Sequence, residues 1–255
     1  MKKFLAFANM AWQEGITYRA EKILWTIINV GGMIPILSLW FVLGQSGKIS
    51  PSQANYLMIY FLIIVTFSRL TASDMEEWLI DDIKNGQISR DIVKPSPFFT
   101  RLIANDFVWR MSYIFYVLPL IIILWFLIPH TGFLLFFPMI LIVYIQRFLV
   151  ATLIALTAFW VDQSNSLTHL KWMLGGLVSG SWLPLTFFPD WFQNIARWTP
   201  FYSWGFFTAQ LIIGKLSIQE IIFGISLTVF WTIFLFLLVK LIWKKALIQY
   251  GAVGN

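Results

Sequence analysis

The sequence predicts an all-α, polytopic membrane protein with six transmembrane helices, an N-terminal interfacial helix and a re-entrant helical hairpin before the last span. Three observations carry this prediction. Hydrophobic residues make up 59% of the 255 and charged residues only 12%, whereas soluble chains run near ~45–50% apolar and ~25% charged. The apolar residues are also blocked into charge-free windows, at Ile23–Gly47, Ile49–Ser68, Met111–Gln146, Phe148–Val161, Trp172–Pro189, Trp198–Gly214 and Ile221–Val239. Several reach the ~20 residues needed to cross ~30 Å of hydrocarbon. Finally, the cations gather between alternate windows. Disordered, collagen-like and nucleic-acid-tail classes are excluded by this composition. The absence of cysteine excludes a disulfide scaffold, an iron–sulfur site and a thiol nucleophile.

The chain reads as one transmembrane domain over 1–255. Its first segment, 1–22, places Phe4, Ala8, Ala11 and Trp12 on one helical face, with Lys3, Asn9 and Gln13 elsewhere. That pattern suits a helix lying in the membrane interface. Lys2 and Lys3 imitate a secretory signal, but the apolar run is short, holds Asn9 and lacks a convincing cleavage region, so a signal peptide is rejected. The spans follow as Ile23–Leu43, Tyr56–Ala72, Met111–Ile128, Leu134–Phe159, Leu170–Phe187 and Ile218–Leu241. Met111–Gln146 is 36 residues, ~54 Å as one helix, and the turn formers Pro129, His130, Thr131 and Gly132 divide it into a tight hairpin. Segment 189–215 is apolar yet broken by Pro189, Pro200 and Gly205. It reads as an extracytoplasmic re-entrant or interface-lying helical hairpin containing Trp191 and Phe201; a seventh span is the alternative.

Orientation follows from the cations. Lys2, Lys3, Arg19, Lys22, Arg69, Lys84, Arg90, Lys94, Arg101, Arg110, Lys171, Lys240, Lys244 and Lys245 share one side, against Lys48, Arg197 and Lys215 on the other. The positive-inside rule makes both termini and the central loop cytoplasmic, in the inner (cytoplasmic) membrane. The net charge of +6 is then a topology signal, and nucleic acid is not an expected partner; membrane lipid is.

Charge concentrates in segment 74–110, which holds twelve charged residues in 37, against eighteen in the remaining 218. Asp74–Lys84 reads as a short helix with Met75, Trp78, Leu79 and Ile83 interrupting an acidic surface, and Gly86 stands where a left-handed cap is expected. Ser96 can cap, and Pro97 start, a following helix. Helix, tight turn, helix is a docking architecture; a solvated loop obeying the charge rule is the plain alternative.

Catalytic chemistry is poorly supplied. No Gly-x-x-x-x-Gly-Lys-Ser/Thr sequence occurs, so the chain has no P-loop of its own. With His130 and His169 the only histidines, neither a metal site nor a histidine relay is expected. An intramembrane serine hydrolase built on Ser179 or Ser181 with His169 is the strongest enzymatic alternative. Ten residues separate His169 from Ser179, roughly 15 Å along one helix, so they cannot share a hydrogen bond within it.

Small residues at Gly175, Gly176, Ser179 and Gly180 read as a helix-packing stripe and a candidate dimer interface, as do Gly31 and Gly32. Arg147 is the one cation well inside a predicted span. A charge near mid-bilayer costs at least ~2.5 kcal/mol, so it marks a possible translocation path, with snorkelling as the alternative. Aromatics from Trp182 to Phe207 crowd the outer end of span five and the hairpin, as an aromatic belt or a substrate exit.

The order of these parts resembles the ABC-2 type transporter permeases. Two stretches sharpen the resemblance: Ile83-Lys-Asn-Gly-Gln-Ile-Ser-Arg-Asp-Ile-Val-Lys-Pro95, and Leu183-Pro-Leu-Thr-Phe-Phe-Pro-Asp-Trp-Phe192 continuing to Trp198-Thr-Pro-Phe201 and Ile213-Gly-Lys215. They are similar to the branch with paired permeases and a separate ATPase. The resemblance implies a non-enzymatic permease half of an exporter, carrying no cofactor itself. ATP and Mg would sit on the partner ATP-binding cassette subunits, expected in two copies. A second six-span permease completes the path, as a heterodimer by family habit or as a homodimer. Asp81, Asp82, Ile83, Lys84, Gly86 and Ile88 then fall on the ATPase-coupling helix and its turn. Without the resemblance, the residues alone also permit an ATP-independent channel or carrier.

Overall fold

The computed structural model describes residues 2–89 and 98–253, so the expectations for Ser96 and Pro97 lie outside the described residues. These residues form eleven α-helices and no strand: α1 (Lys2–Thr17), α2 (Arg19–Gln45), α3 (Pro51–Thr71), α4 (Met75–Lys84), α5 (Phe98–Met111), α6 (Ile114–Leu127), α7 (His130–Leu156), α8 (Asn165–Leu177), α9 (Asp190–Arg197), α10 (Phe206–Ile213) and α11 (Ile218–Val253). Short 3₁₀ turns follow α7, precede α9 and occupy Pro200–Trp204.

Local sequence sets several of these ends. Ser50 caps α3 by accepting from the Gln53 amide at 3.2 Å, with Pro51 at the first helical position, where its missing N–H costs nothing. Ser217 and Glu220 form a reciprocal capping box on α11: the Ser217 amide donates to the Glu220 carboxylate at 2.8 Å and the Glu220 amide to Ser217 Oγ at 3.3 Å. Gly214, at φ 79°, ends α10 in the left-handed conformation open to glycine at little cost.

Among the described residues, four helical stretches are long and apolar enough to cross a membrane: Arg19–Gln45, Pro51–Lys84 (α3 running into α4), His130–Phe159 and Ile218–Gln249. The pair α5 and α6, bent by 52°, makes a fifth if taken as one span. That gives four spans, or five with the bent pair, where six were expected. The third expected span, Met111–Ile128, is instead α6 with α5 bent onto it. The fifth, Leu170–Phe187, stops at Leu177. Its helix loses support at Gly175 and Gly176, the Ser179 hydroxyl turns back to the Gly175 carbonyl, and Gly180 adopts φ 77°. Pro184 removes the next amide.

Helices α3 and α7 form the centre. About 61% and 56% of their apolar windows are buried, against 12% and 17% for α2 and α11. On α3, Leu57, Tyr60, Ile63, Phe67 and Leu70 are buried against α6, α7 and α10. α2 packs along α3, and α11 along α7. Their exposed faces carry Ile27, Ile34 and Val42, and Phe230, Ile233 and Leu237, as expected where lipid replaces water. α1 lies along α5, burying Ala11. The Lys22 ammonium at the start of α2 is buried over the Trp109 ring, 3.9 Å from its centroid, and donates to Ser112.

Candidate functional site

The acidic elbow is α4 and the turn after it. Met75, Leu79, Ile80 and Ile83 recur at helical spacing and are buried, together with Ile88, against Tyr144, Phe148, Ala151 and Ala155 of α7. Two of the six expected coupling residues, Ile83 and Ile88, are thus 7% and 1% exposed and root the elbow in its own chain. Asp81, Lys84 and Trp78 face outward. Asp82 and Gly86 are half-buried. Gly86 has φ 69°, the Gly86 amide donates to the Ile83 carbonyl at 3.1 Å, and the Ile88 amide to the Asp82 carbonyl at 3.2 Å. This is the left-handed helix stop its sequence position predicts.

Ion pairs fasten the other end of α4. Arg110 donates to Asp74 at 2.9 Å and to the Arg69 carbonyl at 3.4 Å. Lys171, on α8, donates to the Ser73 carbonyl at 2.9 Å and pairs with the fully buried Glu76. The Tyr144 hydroxyl donates to Asp106 at 2.9 Å. A helix placed between two spans is therefore tied by charge to α5 and α8 and by apolar packing to α7.

Above this cluster lies a cavity of about 340 Å³. Its polar wall carries Arg69, Arg110, Arg147, Lys171 and Asp74, and its apolar wall includes Ile64, Val65 and three tryptophans, Trp172, Trp182 and Trp204. Arg147 therefore does face an open space. Its nearest fixed partner is Trp204, whose carbonyl accepts from Nη2 at 3.2 Å and whose ring lies 4.9 Å from the guanidinium carbon. Sequence reasoning found Arg147 but not the convergence of Arg69, Arg110 and Lys171 with Glu76. These residues come from four separate segments, and their only sequence signal is that each cation lies near the end of a span or a bend.

The glycine–serine stripe is used within the chain. Gly176 lies against the Trp182 ring, which a Cβ would strike. The Gly180 carbonyl accepts from Tyr60 at 2.7 Å, and the Ser179 carbonyl from the Phe206 amide at 2.7 Å. Because α8 ends at Leu177, Gly176 and Gly180 do not share one helical face. Ser179 and Ser181 hydroxyls lie 2.7 Å apart, while His169 is exposed on α8. Gly31 and Gly32 have open space around them.

In segment 189–215, Pro189 precedes α9, Trp191 is exposed, Pro200 starts the 3₁₀ turn, and Phe201 packs edge-on to Trp204 with centroids 4.7 Å apart. Ser203 Oγ donates to Gln146 at 2.7 Å, next to Arg147. α10 is buried from Phe206 to Ile212, and the Ile212 carbonyl touches Gly132 at the opposite end of α7.

Comparison with known families bears on the fold as a whole. Residues 50–254 match the family model described as ABC-2 family transporter protein. No curated protein and no solved structure matches the chain. With four-fifths of its length inside that family model, the chain belongs to the ABC-2 family of transporter proteins, and is a multi-pass membrane permease of an ATP-binding cassette transporter.

Proposed function

We propose that this chain forms half of the translocation path of an exporter in the inner membrane, with both termini cytoplasmic and a second six-span permease completing the path. A heterodimer is the favoured pairing. Two copies of an ATP-binding cassette ATPase, holding ATP and Mg, supply the energy. The observation that carries this reading is the construction of the elbow. α4 is rooted in three spans by Ile83, Ile88, Glu76 and Asp74, while Trp78, Asp81 and Lys84 stand outward. A soluble engine pressing on those outward groups would tilt α5, α7 and α8 together, a rigid-body motion of packed helices.

Six passes are also consistent with the contacts. α8 and the turn after it, which ascends to Phe187 beside Trp40 near the outer end of α2, act as one broken span. The Pro200–Trp204 turn then returns to Arg147, roughly 25 Å along α7 from its start, and α10 climbs back to Gly132. That course is re-entrant, and its irregular backbone is covered by protein as membranes require.

Co-expression with the adjacent ATPase and companion permease tests the proposal. The wild-type chain should elute with the ATPase from mild detergent. Asp81→Arg combined with Trp78→Ala should reduce the co-eluting ATPase at least tenfold while the two permeases stay together. Elution of the wild-type permeases without ATPase, and transport that continues without ATP hydrolysis, would overturn it.

A further inference from the structure

We infer that the cavity between α3, α5, α7 and α8 binds an anionic amphiphile, with a phosphate-class oxyanion held by Arg69 and Arg147 and an apolar portion against the tryptophans. This inference rests on the permease reading and names its substrate class. The first observation is charge. Four cations face the cavity region, one each from α3, α5, α7 and α8. Three carboxylates answer them: Asp74 pairs with Arg110, Glu76 pairs with Lys171, and Asp106 is held by Tyr144. Among the described residues no ion pair joins Arg69 or Arg147 to a carboxylate. Two guanidiniums thus share one cavity wall with no carboxylate paired to either; Asp74 on that wall attracts both but is already bonded to Arg110.

The second observation is unsatisfied hydrogen bonding. Arg110 Nε, Arg147 Nε and Trp204 Nε1 are all buried without a hydrogen-bond partner, and all three residues line the cavity. Buried donors of this kind are normally paired, and guanidinium forks match phosphate and carboxylate oxygens bidentately. Of the two arginines assigned to the oxyanion, Arg147 is the one with an unpaired donor, and an incoming oxyanion gives its guanidinium a partner. The third observation is the apolar wall. Trp172 and Trp182 are 69% and 52% exposed, so they line the cavity and also face the surroundings of the bundle. An inorganic anion has no use for that surface; an acyl or prenyl tail does. A headgroup entering past the two tryptophans would meet Arg69 and Arg147 while its tail stayed in lipid.

The full chain, purified in a neutral maltoside detergent, is titrated with dihexanoyl phosphatidic acid, its zwitterionic choline ester and inorganic phosphate, following tryptophan fluorescence. Saturable binding of phosphatidic acid, at least tenfold tighter than of either other probe, is expected. Arg147→Gln and Arg69→Gln should each weaken it at least tenfold. Equal binding of the choline ester overturns the anionic requirement, and equal binding of inorganic phosphate overturns the amphiphile. Ser68→Glu guards against misfolding, because Ser68 lines the same cavity and a carboxylate there supplies the missing counter-charge. It should abolish binding without lowering the melting temperature. Undiminished binding in Ser68→Glu, or in both arginine variants, overturns the site. None of these outcomes touches ATPase co-elution, so loss of the inference and loss of the permease reading are separately visible.

Discussion

The Trp204 carbonyl accepts a hydrogen bond from Arg147 at 3.2 Å, and the indole of the same residue stacks over the guanidinium at 4.9 Å. One residue of an irregular turn therefore holds the Arg147 guanidinium by two different interactions. The turn is held in return, since Ser203 donates to Gln146, the neighbour of Arg147 on α7. This two-residue clasp is one of the links between segment 189–215 and the core.

Loss of the indole should loosen that clasp. Trp204→Ala is expected to destabilise the chain by about 3–5 kcal/mol, combining a large-to-small core substitution with loss of a desolvated cation–π contact. Thermal unfolding in detergent measures it. Trp204→Phe, which keeps the backbone carbonyl and a ring, should recover at least half.

The Lys171–Glu76 pair is buried on both sides. Removing one partner leaves the other charge uncompensated, which costs about 3–5 kcal/mol. Glu76→Gln and Lys171→Met should each lower the melting temperature, and the double variant should lose much less stability than the sum of the two single losses. A double-mutant cycle on unfolding free energies reads the coupling directly.

Close approach at Gly132 and open space at Gly31 predict opposite outcomes for similar changes. A Cβ at Gly132 would collide with the Ile212 carbonyl, a backbone atom unable to move aside. Gly132→Val should therefore separate α7 from α10 and abolish folding or sharply reduce yield. Gly31→Ala and Gly32→Ala meet nothing within the chain, so expression and melting temperature should be unchanged. A loss confined to co-elution with the second permease would place α2 at the interface between halves.

Gly86 ends α4 at φ 69°. A β-branched residue there costs roughly 1–2 kcal/mol in the left-handed region, enough to redirect the elbow without unfolding the bundle. Gly86→Val should leave membrane insertion intact and reduce ATP-dependent transport several-fold. Gly86→Asn, which tolerates that conformation, should be close to wild type.

Much of the architecture was legible in the sequence because hydrocarbon imposes a length rule. Charge-free runs located α2, α3, α7 and α11, and Pro129 with Gly132 located the α6–α7 turn. The amphipathic α4 and its Gly86 stop were legible from spacing alone. Less legible was the break after Leu177. The apolar run continues through it, and hydropathy cannot register that Gly175, Gly176, Ser179 and Pro184 together end the helix.

The sequence by itself determined that the chain is a helical membrane protein with one charged elbow, because composition, window length and cation placement act locally and add along the chain. Tertiary structure decided which side of α4 is outward, what Arg147 touches, and that Arg69, Arg110, Arg147 and Lys171 surround one cavity. Those are residues about 25 to 100 positions apart, and only the packing of α3, α5, α7 and α8 against one another fixes such distances.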